Sequence, residues 1–213
     1  MAATLFYLAR HPLALQKVAD EIRNKFWDVE QITQGPLLNE CIYLRACIDE
    51  AMRLSPSVGG LLPREVLPGG ITIDGESIPA GTIVGTPHYS IHHSETYYPS
   101  PFSFVPERWL SGSINPLSAK VVTHDDVEVA SSAFCPFSIG PRGCIGKELA
   151  YGEMRIALAR LLFLYDMRTA VGIVDPGEGK KGAVYGRHRE GEFQLVDTFT
   201  SIKNGPLLEF RKR

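Results

Sequence analysis

Apolar residues recur at helical spacing in four stretches of the chain and give way between them to short, turn-punctuated runs. Met1 to Ala9 is apolar nearly throughout and is closed by Pro12. It predicts a helix that opens without a capping residue, as if already begun upstream. Leu13 to Phe26 places Leu13, Val18, Ile22 and Phe26 near one face and Lys17, Asp20, Glu21 and Lys25 mostly on the other, which predicts an amphipathic helix. A third helix is predicted from Leu38 to Leu54, carrying Cys41, Leu44, Ile48 and Met52 toward a core, with Pro56 beyond its end. Ile145 to Met167 is the fourth, with Leu149, Ile156, Leu158, Leu161, Leu162 and Phe163 as its apolar content.

Elsewhere the period shortens or disappears. From Ser57 to Thr86, Pro68-Gly69-Gly70, Asp74-Gly75 and Pro79-Ala80-Gly81 separate short runs such as Ile71-Thr72-Ile73 and Thr82-Ile83-Val84, which predicts a small antiparallel sheet with tight turns. Tyr97 to Cys135 is rich in Pro, Ser and aromatic residues, with an acidic patch at Asp125, Asp126 and Glu128. It reads as a long irregular segment that covers something. After Thr169 the runs Phe193 to Val196 and Pro206 to Phe210 read most simply as a hairpin. The expectation is a mainly α fold with small antiparallel β-sheets (α+β) and no internal repeat.

Composition narrows this little. The 213 residues, 44% hydrophobic and 22% charged, are ordinary globular material for one domain or part of a larger one. A net charge of -2 gives no reason to expect nucleic acid as a partner. No apolar stretch approaches the roughly 20 residues of a membrane span, and no basic leader precedes the apolar opening. The four cysteines, Cys41, Cys47, Cys135 and Cys144, lack the C-x-x-C spacing of a zinc site, and three of them read as reduced, buried hydrophobes.

The stretch that changes the picture is Phe137-Ser138-Ile139-Gly140-Pro141-Arg142-Gly143-Cys144-Ile145-Gly146. A cysteine ends a glycine-rich loop immediately before a long helix. The glycines permit positive φ and close backbone approach, so amide N–H groups can point at the sulfur. The helix N-terminus adds partial positive charge. Both favour thiolate, the metal-binding form. Arg142 is placed to meet an anionic group beside a metal, and Phe137 to pack flat against a large planar ligand.

The stretch resembles the haem-binding signature of the cytochrome P450 family, F-x-x-G-x-R-x-C-x-G, matched by Phe137, Gly140, Arg142, Cys144 and Gly146. Glu50-Ala51-Met52-Arg53 matches the family's E-x-x-R. Pro106-Glu107-Arg108-Trp109 resembles its P-E-R-F, with Trp in place of Phe. The resemblance covers essentially the whole chain, although family members run to about double this length. It implies the C-terminal half of the cytochrome P450 fold, a partial domain over residues 1–213: the end of the distal helix, the E-x-x-R helix, a small β-sheet, the haem-binding loop, the proximal helix and a C-terminal hairpin.

The resemblance also implies roles. Cys144 would ligate the iron of haem b, Arg142 and Arg64 would hold haem propionates, and Glu50, Arg53 and Arg108 would form a buried charged triad locking the long segment in place. Thiolate ligation favours O–O cleavage, so the implied activity is monooxygenation of a small organic substrate. Electrons would come from an NADPH-cytochrome P450 reductase, a flavoprotein docking near Arg142, Lys147 and Arg155. Ser57 to Leu62 and Thr198 to Ser201 would form part of the substrate wall. No catalytic residue is expected within these residues, because the acid–alcohol pair of the distal helix would lie upstream. An N-terminal anchor, also upstream, would place the full-length protein at the cytosolic face of the endoplasmic reticulum membrane. The text from Leu67 to Leu110 most resembles fungal microsomal members such as benzoate and secondary-metabolite hydroxylases. A truncated non-catalytic remnant and a haem-thiolate isomerase or dehydratase stay open as alternatives. His88, His92 and His93 are assigned no metal, because adjacent strand residues point to opposite faces and the matching family segment uses histidine structurally.

Overall fold

The computed structural model describes all 213 residues. Four helices carry the core: α1 (Ala2–Arg10), α2 (Pro12–Lys25), α4 (Ile42–Leu54) and α7 (Lys147–Leu164). Pro12 opens α2, where its missing N–H costs nothing and its φ suits the first turn. Along α4 the buried Leu44, Cys47, Ile48, Ala51 and Leu54 follow the 3.6-residue period. They meet Phe6 and Leu8 of α1, Val18 and Ile22 of α2, and Leu158 and Leu162 of α7 in one hydrophobic core. The expected third helix is two. A short turn, α3 (Pro36–Asn39), precedes α4, and Cys41 stands at the start of the second piece without a side-chain capping bond.

The strands form three two-stranded antiparallel ladders. β1 (Arg64–Glu65) pairs with β4 (Ile83–Val84), and β2 (Ile71–Ile73) pairs with β3 (Glu76–Ile78). Asp74 and Gly75 join β2 to β3 with φ of 49° and 85°, the all-positive two-residue turn that matches strand twist.

Four further expectations are corrected. The irregular segment contains a helix, α6 (His124–Ser132). Thr123 and Asp126 form a reciprocal capping box at its start, so the acidic patch satisfies the first turn. The hairpin does not form between residues 193–196 and 206–210. Instead β6 (Leu208–Lys212) pairs with β5 (Tyr165–Thr169), Phe193 bridges Glu178, and Val196 bridges Ile202. The last predicted helix therefore ends at Leu164, and Met167 belongs to a strand. The histidine cluster is helical too, on α5 (His88–His92).

Candidate functional site

The loop from Phe137 to Gly146 is tied mostly to itself. Ser138 and Gly140 take φ of 60° and 73°, and the latter is a conformation that favours glycine. The Gly143 amide donates to the Gly140 carbonyl at 2.9 Å, and the Cys144 amide to the Phe137 carbonyl at 2.8 Å. Those two amides are therefore committed to carbonyls and not to the sulfur. The amides of Ile145 and Gly146 make no hydrogen bond within the chain. A Cβ on Gly146 would stand 3.8 Å from Cys144 Sγ, an ordinary van der Waals contact that places this position directly against the sulfur.

Cys144 is the one exposed cysteine. Burial pushes the thiols of the other three up: Cys41 to about 11, Cys47 well above its ordinary value, and Cys135 upward. Beside Cys144 the apolar side chains of Ile139, Ile145 and Leu149 are also exposed. Phe137 is half-buried, with its ring 5.2 Å from that of Tyr151, whose hydroxyl donates to Asp49 at 2.7 Å. Arg142 and Arg64 are exposed. Arg142 has no ion pair or hydrogen-bond partner, and Arg64 donates only to the carbonyl of neighbouring Pro63, at 2.9 Å. No bond joins Arg64 on β1 to the loop. A single sulfur donor, an exposed apolar surround and two guanidiniums without carboxylate partners fit a large planar ligand that carries a soft metal and peripheral carboxylates.

The second cluster is closed. Glu50 and Arg53 are 0% exposed and Arg108 is 5% exposed. Glu50 Oε1 accepts from Arg53 Nη2 at 2.8 Å, Arg108 Nε at 3.0 Å and the Val105 amide at 3.0 Å. Its Oε2 accepts from Arg53 Nε and from Trp109 Nε1, each at 3.0 Å. Arg53 gives its remaining protons to the carbonyls of His92, Pro101 and Ser103 at 2.6–3.1 Å. Burial alone would raise the Glu50 carboxyl, but Arg53 and Arg108 outweigh it and hold the group at about 2. The cluster thus staples α4 to the segment from Pro99 to Trp109.

Trp109 escaped sequence reasoning, which noted it only as a replacement for Phe. The signal was its indole N–H, the one polar handle that Phe lacks. Glu107 was also passed over: it is 5% exposed and accepts from Lys17 Nζ at 2.7 Å and Tyr43 hydroxyl at 2.9 Å. His92 is fully buried, and its Nε2 accepts the Cys135 amide at 3.1 Å. The strand argument about the histidines does not apply, since His88 and His92 lie on α5 and His93 follows its end, yet their rings serve local packing and hydrogen bonds. Arg155 is partly committed, donating to Asn39 at 2.6 Å.

The structure brings Ser57 and Ser201 together. The Ser201 amide donates to the Ser57 carbonyl at 2.6 Å, and its hydroxyl to the Pro56 carbonyl at 3.1 Å. A cavity of about 300 Å³ opens beside them, lined by Gly59, Gly60, Tyr89, Phe193 and Leu195 among others.

The family model described as Cytochrome P450 matches residues 1–186. The chain is 48% identical over its whole length to the cytochrome P450 monooxygenase AKT7 of Alternaria alternata, of which it spans 40%. It is 44% identical to the cytochrome P450 monooxygenase apf8 of Gibberella fujikuroi, spanning 55% of that protein, and 43% identical to a cytochrome P450 monooxygenase of Gibberella zeae, spanning 46%. The chain therefore covers about half the length of these curated fungal relatives, and all of it lies within the match to each.

Proposed function

The chain belongs to the cytochrome P450 family, and we propose that it carries the haem-ligating part of a monooxygenase acting on a small organic substrate, with Cys144 as the iron ligand. The observation that carries this reading is the setting of Cys144, an exposed sulfur at the start of an 18-residue helix beside exposed apolar side chains. Haem b, when bound, supplies the oxygen-activating chemistry.

The chain's own residues have five tasks. Cys144 supplies the sulfur ligand, with the unbonded Ile145 and Gly146 amides and the start of α7 next to it in the chain. Arg142 and Arg64 bind the haem propionates, for which the guanidinium fork is suited. Gly140 lets the loop turn and Gly146 lies against the sulfur, while Phe137, backed by Tyr151, packs against the haem. Glu50, Arg53 and Arg108 hold the segment from Pro99 to Trp109 against α4. The Ser57–Leu62 and Thr198–Ser201 segments, with the adjoining cavity, form part of the substrate wall. On this reading residues 1–213 are part of one cytochrome P450 domain.

Electrons come from an NADPH-cytochrome P450 reductase that meets the exposed Arg142 and Lys147. None of the helices is long and apolar enough to cross a membrane, so attachment to the endoplasmic reticulum, facing the cytosol, would use a segment other than these residues. The relatives' fungal origin favours a substrate of secondary metabolism.

The test is the visible spectrum of the reduced, carbon monoxide-bound protein. A thiolate-type Soret band that Cys144→Ser abolishes, with unfolding unchanged, is the expected result. A band that survives the substitution would exclude Cys144 as the ligand.

A further inference from the structure

We infer that His92 is a positioning residue for the Cys144 loop, its neutral imidazole accepting the Cys135 amide and thereby setting where the loop begins. The consequence for the metal ligand rests on the reading of Cys144 given above, while the role toward the loop does not.

His92 is anchored from both ends. Its carbonyl accepts from Arg53 Nη1 at 2.8 Å, and Arg53 is itself held by Glu50. Its ring stacks on Phe134, with centroids 5.6 Å apart, and meets Tyr98 edge-on at 6.4 Å. From this fixed ring, Nε2 takes the Cys135 N–H at 3.1 Å. The loop then closes in steps: the Cys135 carbonyl accepts from Ser138 at 2.9 Å, and the Phe137 carbonyl accepts from Cys144 at 2.8 Å. A short relay of bonds therefore runs from the buried charged cluster to the backbone of Cys144.

The ring's other nitrogen shows that packing alone does not explain the residue. Nε2 accepts, so the proton of the neutral imidazole sits on Nδ1, and Nδ1 is buried with no partner. An unpaired buried donor is unfavourable, and a phenyl ring would fill the same space without it. What imidazole adds here is an acceptor at the Nε2 position. Burial, then the charges of His88 and Arg53, depress its protonation to about 3, so the acceptor persists across the physiological range.

The experiment compares His92→Phe, which keeps a stacking ring but offers no acceptor, with His92→Gln, whose Oε1 reaches roughly where Nε2 lies. Both are studied in the haem-loaded holoprotein by hydrogen exchange at the Cys135 amide and by the reduced carbon monoxide spectrum. In His92→Phe the Cys135 amide should lose protection by about tenfold, the scale of one buried backbone bond left unmade, and the thiolate-type band should shrink relative to total haem. In His92→Gln both readouts should return close to wild type. Unchanged Cys135 exchange in His92→Phe overturns the inference, as does His92→Gln failing as badly as Phe. If His92→Phe does not fold, the Gln variant decides alone: wild-type exchange supports the role and lost protection overturns it. A wild-type protein that takes up no haem would sink the ligand reading instead, and the exchange measurement, which needs no haem, would still decide His92.

Discussion

The surroundings of Glu50 and of Cys144 are built on opposite lines. Glu50 is wholly buried and accepts five hydrogen bonds from four residues of its own chain. Cys144 is exposed, and the arginines assigned to its ligand, Arg142 and Arg64, have no carboxylate partners. A buried carboxylate must bring its counter-charges with it, because desolvation would otherwise cost several kcal/mol. An exposed sulfur has no such need and stays available to a ligand. Substitutions in the first region should therefore act on stability, and those in the second on ligand binding.

The largest break in that division would come from Glu50→Ala, which leaves Arg53 buried without its counter-charge. A loss of about 3–5 kcal/mol in urea unfolding is expected, and a loss below about 1 kcal/mol would mean that the cluster is not closed. Acid should act on the same group. Its carboxyl is held near 2 against an ordinary 4.5, so the stabilisation is fully present above about 4.5 and is lost as pH falls toward 2. The amount is on the order of 3 kcal/mol. Thermal unfolding followed from pH 6 to pH 2 should show that slope, and Glu50→Gln should flatten it. Trp109→Phe removes one donor to a charged acceptor, so a loss of about 1.5–3 kcal/mol is expected by denaturant titration. A neutral outcome would show that Arg53, Arg108 and the Val105 amide suffice. The smallest change in stability belongs to the exposed region. Arg142→Ala and Arg64→Ala should each shift unfolding by no more than about 0.5 kcal/mol while weakening haem binding about tenfold in a haem-transfer titration. A large stability loss there would blur the contrast between the two regions.

The elements legible in the sequence are those whose signal is local. Apolar periodicity marked α1, α2, α4 and most of α7, because each buries one stripe against the same core. Asp74-Gly75 announced its hairpin, because two adjacent positive φ values suit those residue types. The spacing around Cys144 drew attention to the loop for the same reason, since glycines, arginine and cysteine act there over ten residues. Helix α6 escaped because it buries only Ala130, which leaves no apolar stripe to read.

What only the tertiary structure decided is long-range. β6 pairs with β5 across an intervening segment of nearly forty residues, and alternating strand patterns do not name their partners. The sequence set Cys144 apart from the other three cysteines, but only packing decided that Cys41 and Cys47 are buried while Cys135 is half-buried. The indole of Trp109 finds Glu50 across 59 positions, and the ring of His92 finds the Cys135 amide across 43. By itself the sequence determined which cysteine the loop presents and which helices form around it. Folding decided which distant groups would hold that loop, because a buried donor or acceptor must find a partner wherever the chain brings one.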